Sequence, residues 1–525
     1  MLACTETIRS AAIATTEQQN ASALHELVAN QAALRPHATA LLWQGEAIDY
    51  ATFDRRIARV AATIAGNGQP GERVAILAWN CPEFVELLYA VPAAGRIVVP
   101  LNARLAPAEL AYQLAQAGVS ILIGDELLLR PLVVHPALPP GLSIINLGQE
   151  YEHWLSNTRS SELPGSQETD PAWILYTSGT TGKPKGAVLS HQSLLAGLVS
   201  AAQGRPVRPD DIYLYPFPLF HVAAHNVLLQ HQYGAAVVLL ESFSPASTLA
   251  CCRDYAVTSL SLAPTMIAML VDYPAFRAED LASVHTIGYG ASSMPETLLR
   301  RVLDTTLAGM SQSYGMTELS GSIAFLSAND HRLALSHKPK LLKSVGRPLD
   351  HIQIKIVDAD GAICPPGEPG EILVEAAQCM LGYWEQPAAT ADALLDGWLH
   401  TGDMGYFDTA GYLFIVDRKK DMIISGGENI ASREVEEVLR QHATVADVAV
   451  VGMPHPKWGE AVCAVVVRKQ PTDSNTLERH CRQLLAGYKT PKRFVFVDNL
   501  PVNASGKVDK RQLRQLIEHT PPHPA

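Results

Sequence analysis

Thr177-Ser178-Gly179-Thr180-Thr181-Gly182-Lys183-Pro184-Lys185-Gly186 is the stretch that decides how this 525-residue chain is read. The apolar, aromatic run before it, Trp173-Ile174-Leu175-Tyr176, has strand propensity and stops abruptly in hydroxyls and glycines. A loop should therefore emerge there from the edge of a sheet. Its three glycines let backbone amides approach an anion, and its four hydroxyls and two ammonium groups can bind phosphate oxygens. The pattern is not the G-x-x-x-x-G-K-[ST] loop: Thr177 stands at the first glycine, and Pro184 follows Lys183 where a magnesium-binding hydroxyl belongs. A lone polar, glycine-rich segment can equally be a plain connection. The remaining motifs decide between the two.

Downstream, Ser190 is placed to cap a helix starting at His191, and Asp210-Asp211 opens the strand-like Ile212 to Tyr215. Pro216-Phe217-Pro218-Leu219-Phe220-His221-Val222-Ala223-Ala224 follows, in which His221 taken alone reads as a satisfied core histidine. Ser259 to Thr265 and Thr286-Ile287-Gly288-Tyr289-Gly290-Ala291-Ser292-Ser293 read as strands running into loops, the ends at which open α/β sheets place ligands. In Gln312-Ser313-Tyr314-Gly315-Met316-Thr317-Glu318 a carboxylate suited to magnesium follows a hydroxyl suited to phosphate. Thr317 could also cap a helix with Glu318 in its first turn. Trp398 to Tyr406 and Gly411 to Arg418 alternate like antiparallel strands about Asp408-Thr409-Ala410-Gly411. Asp403 can accept bonds from two ribose hydroxyls, and the planar fork of Arg418 can serve the same sugar or a phosphate.

These ordered motifs, with Asp417 to Asp421, Met422 to Ile430 and Leu500-Pro501-Val502-Asn503-Ala504-Ser505-Gly506-Lys507-Val508, resemble the adenylate-forming superfamily of acyl-CoA synthetases, peptide-synthetase adenylation domains and beetle luciferases. The resemblance runs from about Ala23 to Arg514. It implies that Thr177, Ser178, Gly179, Thr180, Thr181, Gly182, Lys183 and Lys185 hold ATP phosphates. It likewise implies that Gly290, Ala291, Ser313, Tyr314 and Gly315 border the nucleotide, with Asp403 and Arg418 serving its ribose. Glu318 would be the magnesium ligand, Thr317 the α-phosphate contact, and His221 the neighbour of the reacting carboxylate. Val222, Ala223, Gly288, Gly290 and Gly315 would line the acid pocket. Lys507 would bridge carboxylate and α-phosphate, Lys420 would be the pivot of a small domain, and Gly426, Gly427 and Glu428 would serve coenzyme A.

The implied reaction is ATP- and magnesium-dependent: acid becomes acyl-adenylate, then a coenzyme A thioester. Relatives that activate amino acids usually place an aspartate where this chain has His221, Val222 and Ala223, and a buried unpaired ammonium is costly. The acid is thus expected to lack an α-amino group and to be fatty or otherwise hydrophobic, with an aryl acid the alternative. A carrier protein is the alternative thiol, and a luciferase-like oxygenase or a non-catalytic adenylate-binding protein the alternatives of other classes.

Composition is compatible with this reading. With 47% hydrophobic and 18% charged residues the chain can bury large cores in more than one domain. A formal charge of −11 argues against a general nucleic-acid surface. The cysteines at positions 4, 81, 251, 252, 364, 379, 463 and 481 lack metal or disulfide spacing, which suits a reducing cytoplasm. The apolar run Phe84 to Pro100 is broken by Glu86, Pro92 and Arg96, so no transmembrane segment is expected. A homo-oligomer is left open.

Between Ala23 and Asp125, helix-like and strand-like runs alternate: an α/β fold with parallel-rich sheets in a large layered N-terminal domain. Residues 136 to 171, rich in Pro, Gly, Ser and Asn, read as surface connection. The expected division is a loose extension over 1–22, an ATP- and acid-binding domain over 23–419, and a small mobile α+β domain over 420–525.

Overall fold

In the computed structural model the Trp173–Tyr176 run lies within the strand Pro171–Thr177, which returns antiparallel as Lys185–Ser190. The structure describes residues 21–157, 161–177, 184–290, 294–425, 428–456, 458–503 and 506–519. Ser178, Gly179, Thr180, Thr181, Gly182, Lys183, Ala291, Gly426 and Gly427 lie outside them. Thr177 pairs with Lys185 and Tyr176 with Gly186, so the two ends of the phosphate-loop motif face each other. Pro171–Thr177 is an interior strand, flanked on its other side by Ile97–Pro100, rather than the sheet's edge.

Two compact units divide the chain: one runs to Gln353 and takes in Glu375–Gly397, the other comprises Ile354–Val374 and the chain from Trp398 onward. Lys420 falls inside the second. In the first unit, the seven-stranded sheet runs in the order Gly382–Tyr383, Lys185–Ser190, Pro171–Thr177, Ile97–Pro100, Arg73–Leu77, Val119–Gly124, Ser143–Asn146, parallel from the third strand onward. The nine-stranded sheet carries a parallel run of six: Thr39–Trp43, Ala236–Leu239, Ile212–Tyr215, Ser259–Leu262, Thr286–Gly290 and Gly309–Met316. Antiparallel strands close both its edges. The parallel-rich α/β expectation holds. Strands such as Ile97–Pro100 and Ala236–Leu239 are apolar without alternation and almost wholly buried, as parallel strands covered on both faces are.

The helices start where the side chains dictate. Asp49 accepts from the Thr52 amide at 2.7 Å and opens Tyr50–Ala65, whose Phe53, Ile57, Val60 and Ile64 turn one face to the core. Ser190 accepts from the Ser193 amide at 3.0 Å and opens His191–Gly204, as its sequence signals. The reading of residues 136–171 as surface connection is incomplete: Ser143–Asn146 adds the outer parallel strand, and Gln149–Asn157 is a helix that buries Tyr151 and Leu155.

In the second unit, Gly370–Glu375, Trp398–Phe407 and Leu413–Arg418 form antiparallel strands, with Asp408 closing the turn by accepting from the Ala410 and Tyr412 amides. Farther on, Val445–His455 and Gly459–Arg468 pair antiparallel, and Arg493–Val497 joins the latter in parallel. The helices Ser432–Arg440, Ser474–Leu484 and Lys510–His519 supply Val435, Leu439, Leu477, Leu513 and Ile517 to its two cores. Its α+β character is as expected. Among the described residues no helix is long and apolar enough to cross a membrane.

Candidate active site

Strand register brings one set of expected residues together in the first unit. Thr177 Oγ1 donates to Glu318 Oε1 and to the Lys185 carbonyl, both at 3.5 Å, which is at the limit of a hydrogen bond. Lys185 stands at the start of the return strand, its Nζ 4.9 Å from the Tyr383 ring centroid. Tyr383 Oη donates to Glu318 Oε1 at 2.9 Å. Glu318 is only 7% exposed, yet among the described residues no cation pairs with it, and its bonds come from hydroxyls alone. A buried carboxylate left without a counter-charge is costly.

That donor set fits magnesium bound mainly through its own waters and substrate phosphates, which needs only one or two protein carboxylates. Among the described residues no cluster of three or more His, Cys, Asp or Glu could hold a metal without such help. Thr317 opens the 3-10 turn Thr317–Leu319 rather than capping it; Met316 holds the N-cap position, without a side-chain cap bond. The Glu318 carbonyl accepts from Met380 N at 2.9 Å, which ties the turn to the segment carrying Tyr383.

The small residues are needed first by their own neighbours. A Cβ on Gly290 would stand 2.7 Å from the Ser313 carbonyl oxygen, and one on Gly315 only 1.9 Å from that of Gly321. Gly290 pairs with Ser313, and Gly315 with Ser322, across adjoining strands. Tyr314 lies on the same Gly309–Met316 strand. Gly288 lies against the guanidinium of Arg205.

His221 stands at the N-cap of the short turn Val222–Ala224, half-buried, with its ring 4.8 Å from that of Phe220, which in turn lies 6.2 Å from Trp79. Val222 and Ala223 are also half-buried. His225, which follows the turn, is buried, and burial lowers its pKa to about 4. Sequence reasoning passed over Tyr383, Arg205 and His225. Gly204-Arg205-Pro206, a charge set between two helix breakers, was a visible signal for one of them.

The second unit holds the other set. Asp403 and Arg418 are cross-strand partners, with Nε of Arg418 2.6 Å from Oδ1 of Asp403. Asp403 is 5% exposed, and its amide donates to Thr401 Oγ1 at 3.0 Å, so the carboxylate is firmly held. Lys420 lies in the 3-10 turn Lys419–Asp421 between two anchored neighbours. Lys419 Nζ binds Glu371 at 2.8 Å, while Asp421 faces Lys510 at 4.0 Å and Arg514 at 3.8 Å.

Glu428 is exposed and pairs with Ser425 on the adjoining antiparallel strand. Lys507 is exposed and tied to Asn503: Asn503 N donates to the Lys507 carbonyl at 2.7 Å, and Lys507 N to Asn503 Oδ1 at 3.0 Å.

Comparison with known proteins shows the family. Residues 28–384 match the AMP-binding enzyme model and residues 434–507 the AMP-binding enzyme C-terminal domain. A feruloyl-CoA synthase of Amycolatopsis sp is 38% identical over 92% of this chain and 97% of its own. A fatty acid–[acyl-carrier-protein] ligase of Streptomyces coeruleorubidus is 34% identical over 91% and 93%. The o-succinylbenzoate CoA synthetase of Bacillus subtilis, solved with its acyl-adenylate, superposes with a TM-score of 0.84 at 31% identity, over 95% of this chain and 99% of that one. The chain belongs to the AMP-binding enzymes of the adenylate-forming superfamily. Its chemistry is ATP- and magnesium-dependent ligation of a carboxylic acid to coenzyme A.

Proposed function

We propose that the enzyme activates an aryl carboxylic acid, with Glu318 as the carboxylate that holds magnesium during adenylation. The observation that carries the metal assignment is the buried, cation-free Glu318 beside Thr177, Lys185 and Tyr383. An aryl acid is favoured by the aromatic set Trp79, Phe220 and His221 next to Val222 and Ala223, the segment that the resemblance assigns to the acid, since such rings suit a flat ring. Two of the relatives named above act on feruloyl and o-succinylbenzoyl groups, in keeping with that choice. The fatty acid–carrier-protein ligase supports a second reading, with a fatty acid and a carrier-protein thiol.

In the proposed chemistry a carboxylate oxygen attacks the α-phosphorus of ATP, the bond to pyrophosphate breaks, and the acyl-adenylate forms. A thiolate then attacks the activated carbonyl, and AMP leaves with the bridging oxygen. Magnesium, when bound, supplies charge neutralisation at the phosphates. The loop Thr177, Ser178, Gly179, Thr180, Thr181, Gly182, Lys183 and Lys185 offers donors to the pyrophosphate. Thr317 orients the α-phosphate, and His221 lies beside the reacting carboxylate. Gly290, Ala291, Ser313, Tyr314 and Gly315 border the nucleotide, and Asp403, positioned by Arg418, holds the ribose.

Lys507 neutralises charge as two anions meet, an electrostatic role that needs no covalent intermediate. Lys420 is the pivot at which residues 420–525 turn, and Gly426, Gly427 and Glu428 serve the thiol step. The thiols of Cys81, Cys251, Cys252, Cys364, Cys379, Cys463 and Cys481 suit a cytoplasmic location.

The test is pyrophosphate release from ATP and magnesium over a panel of aryl, fatty and amino acids, with and without coenzyme A. Aryl-acid-dependent release that becomes multiple-turnover with coenzyme A is the expected result. Turnover restricted to fatty acids, or indifferent to coenzyme A, would remove the aryl-acid:CoA assignment.

A further inference from the structure

Gly288, which the family resemblance assigns to the acid pocket, has polar neighbours that the adenylation chemistry does not use. Arg205 follows the helix His191–Gly204, and its guanidinium fills the space a side chain on Gly288 would take: a Cβ there would lie 2.2 Å from Nη1 and 2.8 Å from Ser261 Oγ. The guanidinium donates to Ser261 Oγ and Asn226 Oδ1 and stands 5.6 Å from the centroid of the Tyr213 ring. Ser261, Asn226 and Tyr213 are all buried. All these partners are neutral, and among the described residues no carboxylate pairs with Arg205. A half-buried cation without a counter-charge is a poor choice for packing alone.

His225 gives an independent second observation. Its Nδ1 donates to the Val222 carbonyl at 2.9 Å, which leaves Nε2 of the neutral ring as an acceptor. The side chain is 5% exposed, and among the described residues Nε2 has no partner. Nε2 would lie 3.1 Å from a Cβ on Gly321, the residue whose carbonyl backs onto Gly315, which the resemblance assigns to the acid pocket. Burial, with Arg205 nearby, keeps this histidine neutral at physiological pH.

We propose that this side of the pocket selects hydroxylated acids, Arg205 donating to substituent oxygen and His225 Nε2 accepting a hydroxyl proton. Hydroxyls are the substituents that serve a donor and an acceptor alike. A carboxylate would satisfy Arg205 but set a second acceptor towards Nε2, and a bare hydrocarbon would leave both unmatched. The inference rests on the aryl-acid reading above and names the substrate class more closely.

The experiment measures kcat and KM for pyrophosphate release with cinnamic acid, 3- and 4-hydroxycinnamic acids and 4-carboxycinnamic acid, using the full chain and its Arg205→Leu, Arg205→Lys and His225→Phe variants. Wild type should favour a hydroxylated acid over cinnamic acid by about tenfold or more in kcat/KM, chiefly through KM, because a site built for a hydroxyl rejects its absence. In Arg205→Leu the loss on the hydroxylated acid should exceed the loss on cinnamic acid by about tenfold, with Arg205→Lys between. His225→Phe should narrow the preference as well.

Equal losses on both acids, a wild-type preference for cinnamic acid, or a preference for the carboxy acid would each overturn the proposal. If Arg205→Leu gives no cooperative melt, Arg205→Lys and His225→Phe carry the decision by the same ratio. Failure of the aryl reading looks different: no cinnamic acid turns over while hexadecanoic acid does. The comparison of 16-hydroxyhexadecanoic with hexadecanoic acid then decides the hydroxyl claim by itself.

Discussion

Glu318 shows how much a single residue can say. The motif Tyr314-Gly315-Met316-Thr317-Glu318 implies a metal ligand by resemblance, and the structure buries this carboxylate among hydroxyl partners, the observation on which the magnesium proposal rests. Glu318→Gln keeps an acceptor for Tyr383 Oη but removes the charge. It should lower kcat for pyrophosphate release by about a hundredfold or more while shifting the melting temperature little, as expected for a group acting on developing charge. A variant with near-normal kcat would detach Glu318 from metal binding. Tyr383 was not legible, because it reaches Glu318 through strand pairing 65 residues away in sequence, and no local pattern announces such a contact.

At the scale of elements, helices and strands with strong periodicity or caps were legible: the helix His191–Gly204 behind its Ser190 cap and the strands Ile212–Tyr215 and Leu413–Arg418 fall where their patterns put them. Ser143–Asn146 and Gln149–Asn157 were not, because Pro, Gly and Ser around them dilute a short strand and a weakly apolar helix. Gly290 and Gly315 were read as room for ligand, and the structure shows that adjoining backbone claims the space first.

Gly315→Ala should therefore cost at least about 2 kcal/mol in chemical denaturation, since an added carbon meets a carbonyl oxygen that cannot yield cheaply. Gly165→Ala, with nothing within 4 Å, should cost almost nothing and serves as the control. The segment around Lys420 yields a kinetic prediction. Lys419 is tied to Glu371, and Asp421 to Lys510 and Arg514, so torsional freedom is concentrated at the residue between them. Lys420→Pro should leave pyrophosphate release within about threefold and cut thioester formation by tenfold or more, proline having a fixed φ. Equal loss of both half-reactions would move the pivot elsewhere.

For the whole molecule, buried histidines set the response to acid. Burial lowers the pKa of His191, His225 and His231 from the ordinary 6.5 to about 4. The folded form holds them neutral while the unfolded chain takes up protons, so their contribution is fully present above pH 6.5 and is lost as pH falls towards 4. Glu86, pushed up to about 7 by burial, works against this as one group against three. The melting temperature should fall steadily from pH 7 to pH 4.5. A flat profile would mean that these rings protonate in place.

The central claim is that the carboxylate itself attacks the α-phosphorus, and isotope transfer tests it most directly. The acid that turns over is labelled with oxygen-18 in its carboxyl group and incubated with ATP, magnesium and coenzyme A, and the products are weighed by mass spectrometry. One labelled oxygen should appear in the phosphate of AMP, with none in pyrophosphate. Unlabelled AMP, or label in inorganic phosphate or pyrophosphate, would contradict adenylation as the activating step.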